Sequence, residues 1–176
     1  MSSPRATYLI ILAGAALWCA TLVIAPFLVT FPGVPGAAGR LFYSFFHPIC
    51  HQLSNRSFLL FGEPLAVCSR CASVYFAFLV GTLLYPVVFD VRRPVFPHRA
   101  FLLAAVLPMA IDIGAGVFGI HEITNTTRLF TGVTFGLAAP FYVVPAAIEA
   151  LQTRNAGLGH HPLLSDTNRE KGPPHA

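Results

Sequence analysis

Cys68-Ser69-Arg70-Cys71 runs straight into Ala72-SVYFAFLVGTLLYPVV-Phe89, an apolar stretch without a charge. A hydrocarbon core about 30 Å thick is crossed by a helix of roughly 20 apolar residues, with about 17 sufficing. Residues 72–89 therefore read as a membrane-spanning helix with a polar CxxC at its mouth. Three more runs of this kind flank it. Residues 8–31 carry no charge, 100–120 are broken only by Asp112, and 129–151 carry only Glu149 near the end. Pro26, Pro86, Pro108, Pro140 and Pro145 fall inside these runs. Packed membrane helices tolerate such prolines because neighbouring groups satisfy the backbone carbonyls they free.

Composition points the same way. Hydrophobic residues make up 55% of the 176 and charged residues 10%, against about 25% charged in soluble domains. The expected architecture is an all-α, integral membrane four-helix bundle over residues 1–151, followed by a flexible cytoplasmic tail over 152–176. The bilayer is the expected partner. The first run is longer than the roughly 7–15 residues of a signal-peptide core, so it reads as an uncleaved helix. The net charge of +4 forms no basic patch with stacking aromatics, so nucleic-acid binding is not expected. Nothing in the sequence fixes an oligomeric state.

Orientation follows from the lysines and arginines. With four crossings, Arg5, Arg92, Arg93, Arg99, Arg154, Arg169 and Lys171 share one side, and Arg40, Arg56, Arg70 and Arg128 the other. The richer side is cytoplasmic. Both termini are then inside, and the loop between the first two helices is outside. That loop, about Pro32 to Val67, contains Leu41-Phe42-Tyr43 and Phe58-Leu59-Leu60-Phe61. It is expected to lie in the interface or dip into the bundle as a short helix, which Pro48 ends.

The same loop carries the chemistry. His47, Cys50 and His51 precede Cys68 and Cys71 within 25 residues, and Cys19 alone lies elsewhere. A CxxC joined to a second Cys/His cluster suits a tetrahedral metal site. The expected ligands are Cys50, Cys68, Cys71 and either His47 or His51. Cys50 and His51 are awkward neighbours on one ion, so His47 is the better fourth ligand and His51 is left for acid–base work. Zinc is the expected metal, although thiolates also suit iron and copper(I). A thiol–disulfide oxidoreductase uses the same CxxC, and a structural disulfide or free buried thiols are the alternatives without chemistry.

Topology gathers further polar residues at that face. Asp112 stands in the outer half of the third helix, where a carboxylate needs a partner or a task. Arg128 is its expected partner. Asp112, His51 and Arg128 are the catalytic candidates; proton coupling by Asp112 would instead make the protein a carrier of a small solute or ion. Arg56, Ser57, Arg70, Tyr75 and Asn125 are candidate substrate or supporting residues. Cys68, Cys71 and Tyr75 share a helix face, as do Asn125, Arg128 and Gly132. Gly132 and Gly136 form a small-xxx-small step for close helix approach. Arg56, Arg70 and Arg128 together suit an anionic or lipid substrate through a phosphate or headgroup, or else anchor the loop at the interface. Asn125 is also a natural helix cap.

In combination, Cys50-His51-Gln52, Arg56-Ser57-Phe58, Val67-Cys68-Ser69-Arg70-Cys71 and Tyr75 resemble a family of prokaryotic membrane proteins, domain of unknown function 2085. Asp112 and Asn125-Thr126-Thr127-Arg128-Leu129-Phe130-Thr131-Gly132 resemble two later elements of its pattern. The resemblance covers about Phe46 to Gly136. Ala72-Ser73 and Ile113 depart from the family's Thr-Gly and Gly at those places. The resemblance implies the membrane class and the site residues, and implies no reaction.

Overall fold

The computed structural model describes residues 3–93, 95–120 and 122–158, with backbone alone over 154–158. Six helices follow one another: α1 (Pro4–Val29), α2 (Val34–Phe46), α3 (Ser69–Val88), α4 (Arg99–Val117), α5 (Asn125–Ala138) and α6 (Pro140–Leu158). A 3-10 turn (Ser54–Arg56) and a two-stranded hairpin, β1 (Leu59–Leu60) with β2 (Glu63–Pro64), lie between α2 and α3. Helices α1, α3 and α4, and the path Asn125–Thr153 through α5 and α6, are each long and apolar enough to cross a membrane. The molecule is a helical membrane bundle.

Helix ends differ from the apolar runs because caps are polar. α1 begins at Pro4, not residue 8, since the Ser3 side chain accepts the Ala6 N–H at 3.2 Å and Pro4 takes the first turn, where a missing N–H costs nothing. α3 begins at Ser69, one turn before its apolar run, with Cys68 in the cap position. α4 stops at Val117 rather than 120. Gly119 (φ 68°) turns the chain there, and the N–H groups of Gly119 and Ile120 donate to the carbonyls of Gly116 and Ala115, a Schellman closure. The fourth span is two helices rather than one over 129–151. Thr124, not Asn125, caps α5, its Oγ1 accepting the Thr127 N–H at 3.2 Å. The helix then breaks at Ala139, because Pro140 has no N–H for the Gly136 carbonyl. α6 continues to Leu158, past the expected start of the tail. His160, His161 and His175, together with the rest of the expected tail from residue 159, lie outside the described residues.

Helices α3 and α5 are held together by absent side chains. A Cβ at Gly136 would sit 2.5 Å from the Val74 carbonyl oxygen, and one at Gly132 would sit 2.8 Å from that of Arg70. Both glycines therefore let the backbones meet, as the small-xxx-small step predicts. Ser73, where the resemblance leads one to expect glycine, packs its Cβ against Gly132; the close contact survives because Gly132 supplies the room.

The loop after α1 folds back as a lid. α2 lies along the end of α1, and a Cβ on Gly39 would meet Val29 at 2.6 Å. Phe46, Cys50, Leu65, Ala66 and Val67 bury against Leu22, Ala25 and Ala72, with Trp18 and Tyr75 beside them. Phe61 and Gly62 both take positive φ at the hairpin tip, as a tight primed turn requires. α4 is the outlying helix. Only Ala105 and Asp112 are buried in it, while Phe101, Leu103, Leu107 and Ile111 face outward. Its one carboxylate is buried in the bundle, as a charge on an apolar helix requires, and its apolar side faces away from it.

Candidate metal centre

Three of the four cysteines converge. The Sγ atoms of Cys50, Cys68 and Cys71 all lie within 4.8 Å of one another. Three thiolates on one tetrahedral zinc, at about 2.3 Å each, stand about 3.8 Å apart, so a small contraction of this triangle encloses an ion. The local fold explains the arrangement. Cys68 caps α3 and Cys71 stands in its first turn, so CxxC spacing puts both on one face. Cys50 follows the end of α2, where Pro48 stops the helix and the N–H groups of Ile49 and Cys50 both donate to the Phe46 carbonyl. The Cys68 amide then donates to Cys50 Sγ at 3.1 Å. A sulfur accepts such a bond best as thiolate, and a helix N-terminus favours negative charge. A hydrogen bond from the Cys71 thiol lowers the Cys68 thiol to about 5, against the opposing pull of burial. All four cysteines are free thiols. Cys19, as its position predicts, is elsewhere, donating to the Tyr75 carbonyl at 3.4 Å.

Neither imidazole joins the sulfur triangle. His47 caps the exposed end of α2. His51 lines a cavity of about 370 Å³ whose wall also includes the three thiols, Gln52, Arg56, Arg70 and Arg128. His51, rather than the preferred His47, is therefore the imidazole facing the same space as the sulfurs.

Gln52 is a residue that sequence reasoning passed over except as part of the Cys50-His51-Gln52 motif. Its backbone takes φ 52°, uncommon for a residue with a side chain. Its Nε2 donates to the carbonyls of Tyr43 at 2.7 Å and Ala66 at 2.8 Å. The side chain thus ties the end of α2 to the segment entering α3, with Cys50 enclosed between. The Tyr43 hydroxyl adds a bond to the Pro64 carbonyl. Burial first, and the nearby Glu63 second, push its pKa up to about 12, so it remains a donor.

The polar residues of α3, α4 and α5 meet at the same end. Arg70 of α3 forms an ion pair with Asp112 of α4. Arg70 is thus a partner of Asp112 that the sequence reading did not name beside Arg128. Arg128 is buried nearby on the cavity wall, with 9% exposure, and its Nε has no hydrogen-bond partner among the described residues. The Ser69 hydroxyl donates to Asn125 Oδ1 at 3.0 Å, and the Asn125 amide reaches the Asn55 carbonyl at 3.4 Å. Asn125 therefore clasps α3 to the 3-10 turn instead of capping α5. Ser57 is buried, its hydroxyl donating to the Leu53 carbonyl at 3.1 Å, which fixes the turn that carries Arg56. Tyr75 is outside the cavity wall. It packs edge-on to Trp18, with centroids 5.6 Å apart, beneath the thiols.

Comparison with known sequences supports this part of the chain. The profile of a family described as predicted membrane protein, domain of unknown function 2085, matches residues 50–142. The matched segment includes the three thiols, His51, Arg56, Arg70, Asp112 and Arg128, and leaves out His47. An uncharacterised protein of Methanocaldococcus jannaschii is similar, with 36% identity over 109 residues, 62% of this chain and 70% of the relative. No solved structure matches.

Proposed function

The chain belongs to this family of predicted membrane proteins, and within it we propose a metal-binding protein whose ion is held by Cys50, Cys68 and Cys71. The observation that carries the reading is the sulfur triangle at the start of α3. Zinc suits the donor set best, since three thiolates with a borderline nitrogen or oxygen fourth ligand are among its usual surroundings. The fourth position faces the cavity, where His51 is the nearest protein candidate in kind. An open position beside a cavity is the arrangement of catalytic rather than structural zinc. Such an ion polarises a substrate oxygen or activates water, which makes hydrolysis or group transfer the reaction class. His51 would accept the proton, and Asp112 would hold Arg70 in place at the wall.

Elemental analysis of detergent-purified protein tests this. About one zinc per chain is expected. Less than about 0.2 ion per chain, with thiols titrating as a disulfide, would overturn it in favour of thiol–disulfide exchange. That second reading has its own support in the closeness of the two CxxC sulfurs, which lie within 4.8 Å of one another.

We place the site on the extracytoplasmic side, with both termini in the cytoplasm, on the seven-to-four split of lysines and arginines. In intact cells treated with a chelator, a membrane-impermeant maleimide is expected to label Cys68 from outside. Labelling from the cytoplasmic side alone reverses the orientation.

A further inference from the structure

The cavity beside the thiols carries more positive charge than its described surroundings neutralise. Arg56, Arg70 and Arg128 all stand on its wall. One carboxylate, Asp112, pairs with Arg70. A divalent ion on three thiolates would add one net negative charge, and the wall would still be cationic. Arg128 is the telling residue. It is more than nine-tenths buried, it lines the cavity, and its Nε–H has no acceptor among the described residues. Leaving a buried, charged donor unsatisfied is costly, and such groups in folded proteins call for an explanation, a bound ion among them.

We propose that this cavity binds an oxyanion, a phosphate or phosphoester group, with Arg128 as its buried anchor and Arg56 at its mouth. The planar guanidinium fork matches two oxygens of one such group, a fit that a halide cannot offer. A volume of about 370 Å³ holds the group together with part of the molecule that bears it. Arg56 is exposed, on a turn pinned by Ser57, so it closes over the anion from the solvent side. Arg128 stands in the first turn of α5, a helix of 14 residues whose N-terminus adds positive potential. The group would sit beside the thiols, placing its oxygens next to any ion they hold. The inference goes beyond the metal reading and does not rest on it, because the guanidiniums line the cavity in either case.

The test is binding of radiolabelled inorganic phosphate to the full chain in a maltoside detergent, followed by equilibrium dialysis, with metal content measured on the same samples. Saturable binding is expected, weakened about tenfold or more in Arg128→Gln and in Arg56→Gln. A parallel arm reconstitutes the protein in nanodiscs of phosphatidylcholine with or without phosphatidic acid. Binding of phosphatidic acid without binding of free phosphate, lost in the same variants, identifies a lipid headgroup as the source of the same oxyanion. Binding equal in wild type and both variants, or no binding in either arm, overturns the proposal. If Arg128→Gln aggregates on size exclusion, Arg56→Gln decides alone, since its side chain is exposed. Phosphate binding by protein that purifies with less than about 0.2 ion per chain leaves this inference standing while the metal reading fails; about one ion per chain without phosphate binding does the reverse.

Discussion

Cys71→Ser is expected to reduce the bound metal from about one ion per chain to less than about 0.2 after dialysis against a weak chelator. The expectation follows from the ligand count. Only three side chains form the triangle, so removing one leaves two thiolates and no protein donor of similar strength within it. His51 on the cavity wall does not replace a thiolate within the triangle, and an affinity loss of at least about 10²-fold is expected, the upper end of what even supporting residues around metal sites supply. The change is small in every other respect. Serine is close in size, and Cys71 stands in the first turn of α3, where a hydroxyl is tolerated. Far-ultraviolet circular dichroism should therefore be unchanged. Cys19→Ser is the control: its sulfur bonds the Tyr75 carbonyl and lies outside the triangle, so metal content should stay at the wild-type level. Full metal in Cys71→Ser, or equal loss in Cys19→Ser, would sink the assignment.

The membrane class was readable because a hydrocarbon core imposes a length that few other causes imitate. Each of the four apolar runs lies in a helical stretch long and apolar enough to cross a membrane. Their ends were not readable from hydropathy, since helices begin on polar caps. Ser3, Cys68 and Thr124 each start a helix before its apolar run. The break at Pro140 was also hidden, because the other internal prolines at 26, 86, 108 and 145 are absorbed within single helices. The thiol triangle was legible in part. CxxC spacing fixes two sulfurs on one helix face, and the reversal after Pro48 brings Cys50 to them. That same reversal leaves His47 at the end of α2, which is why the favoured fourth ligand does not reach the sulfurs. That Arg70, and not Arg128 alone, stands within reach of Asp112 could not be read at all. Both stand in first turns at similar depth. Their reach toward α4 depends on how α3 and α5 pack together, which spacing alone does not give. Gln52 was equally hidden, since a left-handed glutamine with two carbonyl partners leaves no mark in composition or spacing.

Asp112→Asn should be the most destabilising isosteric change in the bundle. The carboxylate and the Arg70 guanidinium are 7% and 13% exposed, so neither is compensated by water when the other is lost. Removing one member of a buried ion pair typically costs about 3–5 kcal/mol, because a charge is left without its partner. For a chain of this size that corresponds to a fall of about 10 °C in the melting temperature, readable by fluorescence in detergent. The substitution conserves volume, so packing loss contributes little. The sharper measurement is the double variant. In Arg70→Gln/Asp112→Asn neither charge remains, and two amides can hydrogen-bond across the same gap between α3 and α4. The double variant should therefore be less destabilised than the sum of the single ones by about 2 kcal/mol. Arg70→Gln alone should also lower the melting temperature, for it removes the guanidinium that faces the carboxylate. Strict additivity of the two single changes would mean that the pair contributes nothing as a pair, and that Asp112 holds its place in α4 for a reason other than Arg70.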